Sequence, residues 1–159
     1  MTTFNKSEIQ TIVIFRSGEL SQMLRSVPAF HALRKEFAHA SITLVGLAQE
    51  KEFVKRFTHL IDDFIEFPGF PEIKKNKVLP EMVLQFLQKV QARKFDLAIQ
   101  MQGENHRANR LTKLFRAKYY AGFYYPNREH QASTYSRPEI AKTLNNQLKL
   151  HQHGMSFVR

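Results

Sequence analysis

Two loops of the sequence carry polar residues of the types that bind or activate a substrate. The first loop, 16–22, reads Arg-Ser-Gly-Glu-Leu-Ser-Gln and follows an apolar run. The second contains Gln102, Gly103 and Asn109 and follows the apolar segment 96–101. The first loop has a single glycine, whereas a dinucleotide-binding fingerprint needs three, and no lysine-containing phosphate loop occurs in the sequence. These patterns argue against a nicotinamide site and against a P-loop nucleotide site.

Metal and thiol chemistry find no support in the residue types. The sequence has no cysteine, which removes disulfides, thiolate metal ligands and cysteine nucleophiles. His151 and His153 are two residues apart, and for such a pair close to the end of the sequence a solvated surface is favoured over a metal site. We therefore expect no metal and no cofactor.

The segments that position the two loops alternate between strand-like and helix-like patterns. Short apolar runs predict five strands, at 11–15, 41–46, 63–67, 96–101 and 119–124. Helical spacing of apolar residues predicts four helices between them, at 23–37, 49–57, 79–90 and 105–118. Pro28 lies either near the start of the first helix or at a kink within it.

This alternation predicts the fold class and the place of the site. Strands separated by helices require a mainly parallel sheet with right-handed crossovers. We therefore predict an α/β, Rossmann-like fold with a mainly parallel sheet and helices on both faces. Ligands bind beyond the carboxyl ends of the strands in such a sheet. The candidate site therefore comprises loops 16–22, 68–77 and 102–109.

Length, composition and charge limit the classes of protein. The chain has 159 residues, which suits one domain of ordinary size. Hydrophobic residues make up 43% and charged residues 24%, as in globular proteins rather than disordered or collagenous ones. The 24 basic and 14 acidic residues leave a net charge of 24 − 14 = +10, which favours anionic partners such as nucleic acid, anionic lipid or phosphorylated substrates.

The last part of the sequence differs from the rest. Segment 127–137 is polar, and Ile140, Leu144 and Leu148 then suggest a final helix that begins near Ser136 and Pro138. We expect a Rossmann-like domain at 1–126 and a polar linker with a terminal helix at 127–159. No apolar run is long enough for a signal peptide or a membrane span, and a cytoplasmic location is compatible with the lack of cysteine.

Several segments, taken in order, resemble glycosyltransferase family 9, which includes the ADP-heptose:lipopolysaccharide heptosyltransferases. The match covers about 11–126 and rests on segments 12–16, 27–34, 41–46, 64–71, 95–101 and 121–124. The resemblance implies the N-terminal lobe of a glycosyltransferase B fold, which receives the acceptor. A second lobe, which binds the nucleotide sugar in the family, is missing from this sequence.

The resemblance also assigns a catalytic position. The family has a Gly-Asp pair at the start of the first helix, and its aspartate is taken as the base for the acceptor hydroxyl; Ser21 and Gln22 stand there instead. A carboxamide cannot accept that proton at neutral pH. Glu19 is a possible substitute base, the alternative being an ordinary exposed glutamate. Gln22 itself fits a polar residue that hydrogen-bonds locally at the helix start better than a catalytic group.

Acceptor-binding positions follow from the same comparison and from the charge pattern. The family has His-Gly after the fourth strand and an asparagine a few residues later, where this sequence has Gln102, Gly103 and Asn109. Gly103 either brings backbone N–H groups near a ligand or forms a structural turn. Arg16 either contacts an anionic sugar or pairs with an acidic neighbour. The acceptor-binding candidates are Arg16, Ser21, Gln102, Gly103, Arg107, Asn109 and Arg110.

Basic residues cluster in two further segments. One is the helix with His106, Arg107, Arg110, Lys113 and Arg116, and the other contains Lys74, Lys75 and Lys77. Each is either a solvated face or a surface for the phosphates and carboxylates of an inner-core glycolipid or of a membrane.

The leading hypothesis is a lobe that transfers heptose from a nucleotide sugar to the lipopolysaccharide inner core when complete, and that is inactive as this chain alone. ADP-heptose would bind only with a complementary domain, and the acceptor would be the anionic lipopolysaccharide core. The alternative is a non-catalytic module that binds anionic glycolipid. Nucleic acid is not an expected partner, because only charge favours it. We also expect self-association, and a cytoplasmic location that allows peripheral contact with the inner face of the bacterial inner membrane.

Overall fold

The computed structural model describes residues 5–70, 78–103 and 106–122. The strands are β1 (Thr11–Phe15), β2 (Ser41–Gly46), β3 (Asp63–Glu66), β4 (Leu97–Gln100) and β5 (Tyr119–Gly122). The α-helices are α1 (Leu20–Arg25), α2 (Val27–Glu36), α3 (Lys51–Arg56), α4 (Pro80–Ala92) and α5 (His106–Lys113). Two short 3₁₀ helices span Lys6–Glu8 and Ala48–Glu50.

All strand pairs in the described residues are parallel. The strand order is β3-β2-β1-β4-β5, so β1 lies in the centre and pairs with β2 and β4. Val13, for example, is opposite Thr43 on one side and Ala98 on the other. The predicted α/β, Rossmann-like fold with a parallel sheet is therefore confirmed.

Alternating side chains of the central strands fill two hydrophobic layers, one on each face of the sheet. Ile12 and Ile14 belong to a layer that also contains buried residues of α1, α2 and α3. Val13 and Phe15 belong to the other layer, which contains buried residues of α4 and α5. Both faces of the strands are covered, which explains why their sequences are almost continuously apolar rather than alternating.

The first predicted helix is two helices. Helix α1 ends and α2 begins at Ser26, which lies between them. The Ser26 hydroxyl donates to the Gln22 carbonyl oxygen at 3.2 Å and accepts from Arg16 Nε at 3.0 Å. Pro28 lies in the first turn of α2, where its missing N–H removes no helical hydrogen bond. Pro28 therefore lies near a helix start, as one of the two alternatives predicted. The prediction of one continuous helix at 23–37 is wrong.

The basic helix is shorter than its pattern indicated. It was predicted at 105–118 but ends at Lys113, and Arg116 has a φ of 55°. A left-handed backbone cannot continue an α-helix, so Arg116 lies in the turn that leads to β5. The predicted terminal helix and linker at 127–159 lie outside the described residues.

Aspartates anchor the amino end of the sheet. Asp96 Oδ2 accepts from the backbone N–H groups of Gln10 at 2.9 Å and Thr11 at 3.0 Å, and Asp96 Oδ1 accepts from Lys118 Nζ at 2.6 Å. Asp62 accepts from the N–H of Ile42 at 2.7 Å. These carboxylates hold the starts of β1 and β2, at the end of the sheet opposite the predicted site.

Candidate functional site

The candidate site lies at the carboxyl ends of β1, β2 and β4. The loop 16–19 follows β1, the 3₁₀ helix Ala48–Glu50 follows β2, and segment 101–103 follows β4. Because the three strands are parallel neighbours, their following loops meet at one edge. The structure thus brings Gln102, which is distant in sequence, to the loop that contains Arg16 and Gln22.

Arg16 ties three elements together. Its Nη1 donates to the Met101 carbonyl oxygen at 3.1 Å, its Nη2 to the Gln22 carbonyl oxygen at 3.1 Å and its Nε to Ser26 Oγ. Burial lowers the pKa of the Arg16 guanidinium from its usual value, and the nearby charge of Glu50 opposes that effect. Arg16 therefore links loop 16–19 to α1 and to segment 101–103, and its hydrogen-bond partners are a hydroxyl and two carbonyl oxygens.

Gln102 joins the loop after β4 to the loop after β1. Its Oε1 accepts from the Ser17 N–H at 2.8 Å, and its Nε2 donates to the Ser17 carbonyl oxygen at 2.8 Å. The side-chain amide of Gln102 thus bonds to the N–H and the carbonyl oxygen of the same residue, as the backbone of a neighbouring strand would. The side chain of Gln102 thus extends the contact between β1 and β4 beyond the ends of the two strands.

Gln100 arranges the second loop and was missed by the sequence analysis. Its buried side chain donates from Nε2 to the Gly103 carbonyl oxygen at 2.8 Å and to Asn109 Oδ1 at 2.9 Å, and its Oε1 accepts from the Gln102 N–H at 2.6 Å. Gly103 has a φ of 79°, a conformation that favours glycine. The signal in the sequence was a glutamine inside an otherwise apolar strand, since a buried amide must find partners.

Gln22 and Glu19 interact with each other at the start of α1. The Glu19 N–H donates to Gln22 Oε1 at 3.2 Å, so the carboxamide is a local cap of the helix. Gly18 makes room for it, because a Cβ on Gly18 would lie 2.2 Å from Gln22 Oε1. Glu19 and Ser21 are exposed, and Glu19 is the solvent-facing carboxylate of this loop.

Glu50 is a second carboxylate at this edge, and the sequence analysis did not single it out. Only 2% of the residue is exposed, and its Oε1 accepts from the Gly18 N–H at 3.1 Å and from Gln49 Nε2 at 3.2 Å. Burial raises the pKa of Glu50 above its usual value, although the hydrogen bonds from Gly18 and Gln49 and the charge of Arg16 oppose the rise. The signal in the sequence that could have pointed to Glu50 was a glycine at the end of a strand, Gly46, four residues before it.

The basic candidates Arg107 and Arg110 lie on α5. Ala108 and Leu111 pack into the core, whereas Arg107 and Arg110 are exposed on the outer side of the helix. Within the described ranges no cluster of three metal-ligating side chains occurs. Lys74, Lys75, Lys77, His151 and His153 lie outside those ranges.

The chemistry of this edge is that of neutral amides with one exposed carboxylate. Carboxamides and backbone amides donate and accept hydrogen bonds, which suits sugar hydroxyl groups. Gln100, Gln102 and Gln22 use many of these groups on one another and on the loops. The arrangement therefore fixes the shape of the edge and leaves Glu19 as the exposed carboxylate of loop 16–19.

No helix in the part of the chain that the structure covers has the length and apolar character needed to cross a membrane. No protein-family model matches the sequence, and no curated protein sequence matches it significantly.

Solved structures share the fold. One is a glycosyltransferase family 9 protein from Veillonella parvula, with a TM-score of 0.61 and 20% identity over 92% of this chain and 44% of that protein. Another is the E. coli heptosyltransferase WaaC, determined with ADP-2-deoxy-2-fluoro heptose, with a TM-score of 0.59 and 14% identity over 88% of this chain and 48% of WaaC. The chain spans less than half the length of each. Its α/β sheet is therefore folded like one lobe of the glycosyltransferase family 9 proteins.

Proposed function

We propose that this chain is the acceptor-binding lobe of a glycosyltransferase of the family 9 type, and that it serves heptose transfer from a nucleotide sugar to the lipopolysaccharide inner core only together with a donor-binding lobe. The observation that carries the proposal is the fold match over 92% of this chain to 44% of a family 9 protein, together with the motif order in the sequence. In a two-lobe enzyme the donor binds in the crevice between the lobes. The chain alone offers one wall of such a crevice.

The catalytic position supports inactivity of the chain alone. The position that the family resemblance assigns to the base holds Gln22, whose Oε1 accepts from the Glu19 N–H at 3.2 Å. An amide oxygen with that hydrogen bond cannot remove a proton from an acceptor hydroxyl near neutral pH. Glu19 is the candidate substitute, because it is exposed beside Gln22.

Titration calorimetry with ADP-heptose tests the need for a second lobe. We expect no saturable heat with the purified chain and no transfer of labelled heptose to a lipopolysaccharide-core acceptor. Saturable binding or turnover by the chain alone would overturn the proposal. If turnover were found, loss of activity in Glu19→Gln with retention in Glu52→Gln, at an exposed position on α3, would identify Glu19 as the base.

A non-catalytic module that binds anionic glycolipid is the second candidate function. The observation that favours it is the pair of outward-facing arginines on α5, Arg107 and Arg110, in a chain of net charge +10. Clustered basic residues gain about 1 kcal/mol each near an anionic membrane surface. This function needs no base and no donor lobe, and it places the protein peripherally at the inner face of the bacterial inner membrane.

Vesicle co-sedimentation tests the electrostatic binding of anionic glycolipid that this second function requires. We expect vesicles with phosphorylated lipid A to bind the chain, vesicles of neutral lipid not to bind it, and binding to weaken as salt is raised. The double variant Arg107→Gln/Arg110→Gln should weaken binding about tenfold or more, from two contacts of about 1 kcal/mol each. Lys35→Gln/Lys51→Gln, on α2 and α3, removes the same charge elsewhere and serves as control. Binding that is indifferent to salt would contradict the electrostatic interaction.

A further inference from the structure

A nearly fully buried carboxylate lies directly beneath loop 16–19 and has no part in the function proposed above. Glu50 is 2% exposed, and within the described residues its Oε2 has no hydrogen-bond partner. A buried carboxylate oxygen without a partner costs free energy in folding. Such a group is retained at a ligand-binding edge at the expense of stability, which points to a role there.

The backbone around Glu50 is shaped to admit it. A Cβ on Gly46 would lie 2.7 Å from Glu50 Oε2 and 3.0 Å from the Arg16 carbonyl oxygen. Both distances are shorter than ordinary van der Waals contacts, so a side chain at the end of β2 would collide with the carboxylate or the loop. Glycine at position 46 thus lets loop 16–19 and Glu50 approach each other closely.

The 3₁₀ helix Ala48–Glu50 holds both polar backbone groups of Gly18. The Gly18 N–H donates to Glu50 Oε1 at 3.1 Å, and the Gly18 carbonyl oxygen accepts from Gln49 Nε2 at 3.3 Å. The next residue, Glu19, begins the turn into α1 and is bonded to Gln22. The position of the exposed carboxylate of Glu19 is therefore set by a contact with the segment after β2.

Charge supplies a second link between Glu50 and the loop. The guanidinium of Arg16 hydrogen-bonds to a hydroxyl and two carbonyl oxygens and is partly buried. The charge of Arg16 acts on Glu50, and the two charges attract each other without a direct salt bridge. Neutralising Glu50 would remove an opposite charge from the surroundings of a partly buried cation, which disfavours the present arrangement of Arg16.

We propose that Glu50 is the positioning residue of the acceptor-binding loop: its carboxylate holds the Gly18 N–H and compensates the charge of Arg16, and so sets the place of Glu19 and Gln22. The residue does not touch substrate, because it is buried. The link to acceptor binding rests on the function proposed above, whereas the effect on the loop does not.

Amide NMR of the full chain tests the effect on the loop. In the wild type we expect the Gly18 amide resonance to titrate with a single midpoint above pH 4.5, because burial raises the pKa of Glu50 from that value. Glu50→Gln should abolish this titration and displace the Gly18 and Glu19 resonances at neutral pH. Glu52→Gln makes the same charge change at an exposed helical position and should leave the wild-type titration unchanged.

Binding to phosphorylated lipid A vesicles tests the consequence for the acceptor. We expect Glu50→Gln to weaken binding about tenfold relative to Glu52→Gln, because the variant no longer holds loop 16–19 in its binding position. A Gly18 resonance that does not titrate in the wild type, or that titrates alike in Glu50→Gln, would overturn the positioning role without any variant having to bind. If Gly18 titrates through Glu50 but the wild type does not bind the vesicles, the acceptor function fails and the control of the loop by Glu50 remains.

Discussion

At the scale of single residues, amides do much of the positioning at the carboxyl edge. Gln22 caps α1, Gln102 pairs with Ser17, and Gln100 reaches Gly103 and Asn109. The sequence analysis found the loops that contain Gln22 and Gln102 because parallel strands gather their following loops at one edge. It missed Gln100 and Glu50, since what they do depends on partners that only the folded chain identifies: Gly18 and Glu50 are 32 residues apart in sequence.

At the amino edge of the sheet, carboxylates accept hydrogen bonds from backbone N–H groups, so the stability of the fold should depend on pH there. Burial on its own would raise the pKa of Asp96, but hydrogen bonds from Lys118 and from the N–H groups of Gln10 and Thr11 outweigh it and lower that pKa from 3.8. A carboxyl whose pKa is lower in the folded state stabilises that state above its unfolded-state pKa, and this contribution is lost as pH falls through the folded-state pKa.

We therefore expect Asp96→Asn to lower the free energy of unfolding by about 1–3 kcal/mol at pH 7, because two backbone N–H groups lose a charged acceptor. The difference from the wild type should begin to shrink near pH 3.8, where the carboxyl of the unfolded chain becomes protonated, and should vanish below the lower pKa of the folded state. Urea unfolding at pH 7, 5 and 3 measures it. Glu52→Gln, at an exposed position, is the control, and a difference that stays constant over this pH range would contradict the assignment.

At the scale of elements, apolar pattern predicted the strands well and the helix ends poorly. The strands are buried on both faces, so their apolar runs coincide closely with their extents. The break between α1 and α2 depends instead on Ser26, whose hydroxyl bonds to Arg16, a contact that no local pattern contains. Apolar periodicity continues through the break because Met23 and Phe30 both enter the same hydrophobic layer.

The end of β2 provides a prediction at this scale. Gly46→Ala should destabilise the fold by about 1–3 kcal/mol, as overpacking of a filled site does, because its Cβ would lie 2.7 Å from Glu50 Oε2. Much of that cost should disappear when Glu50 is also shortened. A double-mutant cycle with Glu50→Ala, measured by urea unfolding, should therefore give a coupling of about 0.5–3 kcal/mol. Additive effects would show that the close approach at Gly46 has no energetic consequence.

At the scale of the whole molecule, exposed apolar side chains on α1 indicate a surface for a partner. Leu20 and Leu24 lie one turn apart on α1, next to the candidate site, and are 59% and 48% exposed. Exposed apolar surface beside a ligand-binding edge is typical of a surface that meets another chain or domain. In the proposed two-lobe enzyme this surface would face the donor lobe.

For the 159-residue chain on its own we expect copies to associate through α1. Static light scattering should show an average mass that rises with protein concentration, and Leu20→Ser/Leu24→Ser should reduce the rise. Leu114→Ser removes an exposed leucine after α5 and should leave association unchanged. A constant monomer mass at high concentration would refute self-association, and equal effects of the two changes would refute the role of α1.

The two bonds between Gln102 and Ser17 have an evolutionary consequence. They join the loop after β1 to the loop after β4 through the side chain of Gln102 rather than through backbone-to-backbone hydrogen bonds. A single codon change can therefore remove or shorten this connection while both strands keep their own ladders. The distance between these two loops can therefore change on an unchanged sheet.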